Sequence, residues 1–195
     1  MNNAEKISNF QKELEFIKSP TIKFFAECAI EMLPDYFFEI PASSTAKYHP
    51  AYALGNGGLL RHTRAAIRIA MELSRLDWWH FTDDEMDLMI AALLVHDGWK
   101  SGENHEKFTI TEHPLVAKKI LKSNSDLMAM LPQEQIDIVL NGIMHHMGQW
   151  VFDSKTKEKV LDKPETKFEK FIHLADYLAS RKCLEMNFDV ELSKS

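Results

Sequence analysis

The chain has 195 residues, 45% of them apolar and 27% charged, with a formal net charge of −6. That length holds one domain with a full core and leaves little room for a second. The balance is that of a soluble globular protein, and Lys and Arg are scattered with no basic run, which argues against a strong nucleic-acid-binding surface. A small phosphorylated substrate held by two or three local cations stays compatible with it. Cys28 and Cys183 have neither metal-binding nor redox spacing, which suits a reducing compartment. No charged n-region leads into an apolar h-region, and no run reaches the roughly 18 apolar residues of a membrane span. The expectation is a cytoplasmic protein with no membrane partner.

Strand signals are scarce and helical periodicity dominates, so the fold is expected to be all-α. Residues 3–18 repeat Ile7, Phe10, Leu14 and Ile17 on one helical face, and Ser19-Pro20 ends that run. A second helix is predicted from Thr21 to Leu33, where Pro34 interrupts. Residues 34–58 read as a long loop punctuated by PASS, YHP and GNGG. The next helix covers 59–76, with His62, Ala66, Ile69 and Leu73 on one face. Thr82 and Glu85 form a capping box that opens a helix running through Met86, Met89, Ile90, Leu93 and Leu94 to His96. Residues 98–112 are a polar loop, and Pro114 opens a helix to about Lys122. Pro132 starts another, whose stripe Ile136, Val139, Leu140 and Ile143 leads to His145-His146. The polar stretch 148–163 reads as a loop with room for a short hairpin. The last helix spans 165–186 and carries Asp176, and the tail over 188–195 is expected to fray.

The segment AALLVHDGWKSG, residues 91–102, is chemically odd: an apolar run delivers adjacent His96 and Asp97. A buried carboxylate is costly unless a partner neutralises it, and a divalent cation is a partner that imidazole and carboxylate can hold together. His62, His113, His145, His146 and Asp176 sit at helix ends or inside separate predicted helices. A bundle can aim all of them at one point. Unrelated buried histidines would instead strand desolvated polar groups, at about 1–3 kcal/mol each.

The order H…HD…H…HH…D resembles the signature of the HD-domain metal-dependent phosphohydrolases, in the variant associated with two metals. GGLLRHT looks like that family's first-histidine helix, HDGWK fits HD-x-x-K, EHPLVAKKIL fits the third motif and FIHLADYLASR the last. The similarity covers about residues 43–182, with the N-terminal helices over 1–40 outside it, and implies one HD-type helical domain over 1–195. It implies a first metal held by His62, His96, Asp97 and Asp176, and a second bridged by Asp97 and held by His113 with His145 or His146. Adjacent helical residues point about 100° apart, so one of that pair is the ligand; His145 is preferred. The metals would be two of Mn, Fe, Ni, Mg or Zn, serving to lower the pKa of a water that attacks phosphorus. Asp97 and Lys100 would then be the catalytic pair, with Lys100 on a phosphate oxygen. SSTAKYHPAYALGNGG resembles the loop before the first histidine in the 3′→5′ exoribonuclease branch, where Lys47 and His49 would meet phosphate.

Among the remaining candidates, His173 reads as a packed or supporting histidine, and His80 and His105 as surface residues. Trp78, Trp79, Trp99 and Trp150 could stack a base, with core or interface packing preferred. Residues 1–40 are expected to leave no room for the nucleic-acid-binding barrel that precedes the domain in the exoribonuclease branch, the 148–163 loop departs from that branch, and the glycine-tyrosine-proline motif of the cyclic-di-GMP branch is absent. The leading expectation is a phosphohydrolase or phosphodiesterase cleaving a P–O bond in a small nucleotide-like substrate or short oligonucleotide. Its alternatives are a 3′→5′ exonuclease on short RNA or single-stranded DNA, a di-iron oxygenase of the same ligand pattern, and a binding module without catalysis. The N-terminal helices leave room for a homo-oligomer.

Overall fold

A computed structural model describes residues 1–153 and 155–190, and among these it contains α-helices and 3-10 turns with no strand. The all-α expectation therefore holds. The helices are α1 (Asn3–Ser8), α2 (Gln11–Leu14), α3 (Pro20–Glu31), α4 (Gly58–Leu73), α5 (Asp83–Val95), α6 (His113–Ser123), α7 (Ser125–Ala129), α8 (Gln133–His145) and α9 (Lys167–Ala179). None is long and apolar enough to cross a membrane.

At the centre lies α5, packed against α3, α4, α8 and α9. Its sequence explains that position. From Leu88 to Val95 every side chain is buried, so the helix has no wet face to present. Each large apolar residue there contributes about 1.5–3 kcal/mol by leaving water, enough together to hold a polar His96-Asp97 step in the interior. Thr82 caps the start reciprocally with Glu85. Asp87, also buried, accepts the backbone N–H groups of Lys18 (3.0 Å) and Ser19 (2.7 Å), tying the entry of α3 to α5. Close approach of α8 to its neighbours depends on Gly142, where a Cβ would collide with Ile172 of α9 and sit 3.5 Å from Ala92 of α5.

Several boundaries differ from expectation. The predicted helix over 3–18 is two short ones, because Phe10 turns inward against Phe37 and Phe38 and breaks the register between them. The extra helix α7 is opened by Asn124, whose side chain accepts the N–H of Leu127 at 3.0 Å. In place of a full hairpin, the 148–163 loop has one antiparallel bridge, Phe152 to Lys159, closed by Asp153 accepting the N–H groups of Lys155 and Thr156. The last helix stops at Ala179 and not near Met186, with Ser180 bonding back to the Tyr177 carbonyl. The tail is docked as far as Val190: Phe188 packs edge-on to Tyr52 and under Arg64 and Arg68, and Arg68 donates to the Val190 carbonyl. The predicted fraying over 191–195 lies outside the described residues.

Candidate metal centre

Five elements supply the polar cluster at the core. His62 comes from the first turns of α4, and His96 and Asp97 from the end of α5. His113 opens α6, His146 closes α8, and Asp176 lies in the last turn of α9. His62, His96, Asp97, His113 and His146 are buried, and Asp176 is the most exposed of the set.

The Asp97 carboxylate stands between two groups of donors. Its Oδ2 faces His96 Nε2 at 3.6 Å and His62 Nε2 at 3.7 Å. Asp176 Oδ1 completes that side, 2.8 Å from His62 Nε2 and 3.5 Å from His96 Nε2. Oδ1 of Asp97 faces the other way, toward His113 Nε2 at 3.0 Å and His146 Nε2 at 3.4 Å. Within each group the ligand-type atoms lie no more than 4.8 Å apart, a span that could hold one metal ion in each.

Hydrogen bonding on the far side of the rings supports that use. Nδ1 of His96, His113 and His146 donates to the carbonyls of Leu93, Ile110 and Ile143, each at 2.7 Å. With the proton fixed on Nδ1, each neutral ring aims an Nε2 lone pair inward, the arrangement metal-binding histidines use. His113 Nε2 and His146 Nε2 then face one another at 3.1 Å with no proton between them. Buried His96 Nε2 and Asp97 Oδ1 likewise lack a hydrogen-bond partner. Opposed lone pairs and orphaned buried acceptors are costly, and a cation held among them would satisfy them.

The electrostatics of the cluster divide between its members. Burial opposes ionisation of Asp97, yet Lys100 and the surrounding imidazoles outweigh it and hold its carboxyl well below the usual range. Asp176 is held down in the same way by His62 and His96, against burial. Burial lowers His113, which favours the neutral ring, whereas the two carboxylates override burial at His96 and raise it. Lys100 lies one turn past Asp97 and is paired with its Oδ2.

The cluster forms the floor of a cleft of about 460 Å³, walled by the 42–49 loop, Lys100, Trp150 and Arg181. His49 lines it, with its ring edge-on to His62 at 5.3 Å, and burial pushes its imidazolium down to about 3. Lys47 does not line the cleft; it is exposed and lies over the Tyr48 ring.

His145, preferred over His146 from the sequence, is not the one that the geometry brings to the cluster. His145 turns toward α9, with Nδ1 3.4 Å from Glu169, while His146 joins the cluster. The stripe already contained the signal, since Val139 and Ile143 extrapolate by seven and three residues to 146. His173 on α9 supports the turn after α8: its Nδ1 donates to the His146 carbonyl at 2.7 Å. Its ring fills the space beside Gly148, where φ is +64° and a Cβ would strike it. Trp99 is buried and Trp79 packs on Phe81 and Phe171, but Trp150 lies at the cleft, stacked on Tyr177. Arg181 and the hydroxyls of Ser43, Ser44 and Thr45 line the cleft without having been singled out. The sequence hints are the positions of Arg181 inside the FIHLADYLASR string and of Ser43, Ser44 and Thr45 at the start of SSTAKYHPAYALGNGG.

Searches among curated proteins and among solved structures gave no match. A family model described as HD domain matches residues 59–181, more than half of the chain and every residue of the cluster. This chain belongs to the HD domain family, whose members are in general metal-dependent hydrolases.

Proposed function

We propose that the chain is a binuclear metal-dependent phosphohydrolase that cleaves a P–O bond in a nucleotide-like substrate, most simply a phosphodiester. The observation that carries this is Asp97, whose two oxygens face separate sets of imidazoles. A carboxylate so flanked is suited to bridging two cations. His62, His96, Asp97 and Asp176 would hold one, and Asp97, His113 and His146 the other. When bound, such a pair supplies positive charge to phosphoryl oxygens and a water of lowered pKa.

The protein's own groups account for the rest. The Nδ1–H bonds of His96, His113 and His146 keep their rings in the tautomer that leaves Nε2 open. Lys100, held beside Asp97 at the cleft floor, can donate from Nζ to a phosphoryl oxygen and stabilise charge on the leaving oxygen. His49, neutral and lining the same floor, can accept or donate one hydrogen bond without adding charge.

The test is chromatographic product analysis with the Mn-loaded protein on cyclic mono- and dinucleotides, short RNA and DNA oligomers, and nucleoside mono- and triphosphates. Asp97→Ala serves as the control, and metal is counted in the same sample. Consumption of one class by the wild type alone, with two metals per chain, is expected. Turnover that survives in Asp97→Ala overturns the reading, as does no turnover of any class. The second outcome would turn attention to dioxygen chemistry on the same ligands.

A further inference from the structure

Metal binding and P–O cleavage engage the floor of the cleft and leave its outer wall without a task. That wall has an unusual chemistry for this chain. The protein carries 29 acidic residues and a net charge of −6, yet no carboxylate lines the cleft besides Asp97 and Asp176. Apart from the cluster itself, His49, Lys100 and the Trp150 indole, the remaining polar side chains of the cleft are hydroxyls and the Arg181 guanidinium.

Arg181 is held as a plate. Its guanidinium carbon lies 4.3 Å from the Tyr177 ring centroid and 5.6 Å from that of Tyr48, and Trp150 stacks beyond Tyr177 at 5.9 Å and 19°. Ser180 Oγ, itself buried, accepts from Nε at 3.1 Å and from Nη2 at 2.7 Å. Among the described residues no carboxylate pairs with it, and Nη1 has no acceptor. Lys100, the other cation of the cleft, is already committed to Asp97. A planar guanidinium fixed between aromatic faces, with donors left over and water partly excluded, is the group that recognises a phosphate in two-pronged fashion. A surface arginine would lose most of this to side-chain entropy and screening; this one is pre-ordered.

The geometry points to Arg181 as the anchor of a second anion subsite, taking a phosphate of the substrate other than the one on the floor. The cleft thereby selects nucleotides that carry two phosphate groups over those that carry one. This rests on the phosphohydrolase reading for the role of the floor, but not for its test.

Calorimetric titration of the Mn-loaded full-length protein with thymidine 3′,5′-bisphosphate and with thymidine 5′-monophosphate reads the subsite directly. The wild type is expected to bind the bisphosphate at least tenfold more tightly. In Arg181→Met the ratio of the two affinities should fall to within twofold of one. Arg181→Lys keeps the charge but not the fork, so it should restore an intermediate ratio. Circular dichroism and Mn content establish that each variant is folded and loaded, and Arg181→Gln replaces the methionine variant if that one unfolds. A wild-type ratio near one, or a wild-type ratio retained in a folded, loaded Arg181→Met or Arg181→Gln, overturns the proposal. Because the ratio comes from binding, it is decided even where the substrate panel shows no turnover, an outcome that counts against the hydrolase reading alone.

Discussion

Replacing Asp97 by Asn keeps the shape of the side chain and removes one unit of charge from the point shared by both donor groups. The group of His113, His146 and Asp97 has no other anion, whereas the first group keeps Asp176. The three donor atoms of the second group lie within 4.8 Å of one another, so a cation held by them would lie within about 4 Å of the carboxylate. At that separation a unit charge pair is worth about 4 kcal/mol at an effective dielectric near 20. Losing it should therefore weaken the second metal by roughly three powers of ten, at about 1.4 kcal/mol per decade. Inductively coupled plasma mass spectrometry after dialysis against micromolar Mn should count about two metals per wild-type chain and about one in Asp97→Asn. Turnover of the substrate identified by the panel should fall with the second metal. Two tightly held metals and undiminished turnover in a folded Asp97→Asn would refute the bridging role.

The neighbouring histidines should separate by function. His146→Ala should lose one metal and most turnover, whereas His145→Ala, which removes a side chain outside the cluster that faces Glu169, should keep both metals; metal counts on the two variants decide it. Glu13 is fully buried between the guanidinium groups of Arg64 (3.2 Å) and Arg68 (3.3 Å). Glu13→Gln should cost about 3–5 kcal/mol in urea unfolding, because it leaves the buried Arg68 without its anion; a loss under about 1 kcal/mol would show that the network is not a structural tie. Asp153 is held down to about 2 by the amides of Thr156 and Lys155. Because its folded value lies below the unfolded one, its contribution is complete above about pH 4 and is lost as pH falls toward 2. Amide protection at Lys155 and Thr156, taken relative to the intrinsic exchange rate at each pH, should fall across that window, and Asp153→Asn should abolish the pH step.

Much of the architecture was legible because periodicity and caps are local. The Thr82–Glu85 box, Pro20, Pro114 and the apolar stripes fix where α3 to α6 and α8 form, since each depends on residues within one or two turns. The break at Phe10 was not legible, because the pattern Ile7, Phe10, Leu14, Ile17 fits one straight helix. Only the pocket formed with Phe37 and Phe38 draws Phe10 out of that register. The docking of the tail from Phe188 is not legible for the same reason: Phe188 finds its partners on α4 and at Tyr52, more than 100 residues away in sequence.

The sequence by itself determined which residue types reach the interior. A histidine and an aspartate at the end of an otherwise apolar helix, with further histidines and an aspartate on other helices, already imply a shared polar centre. What the tertiary structure alone decided is how each helix is rotated about its axis and what gathers beyond the helix ends. α8 packs closely on α5 and α9 at Gly142, and in that seating His146 faces Asp97 and His145 faces Glu169. Arg181 lies just past the last turn of α9, where helical projection no longer applies. Its stack between Tyr177 and Tyr48 exists because the loop before α4 folds back over the end of α9.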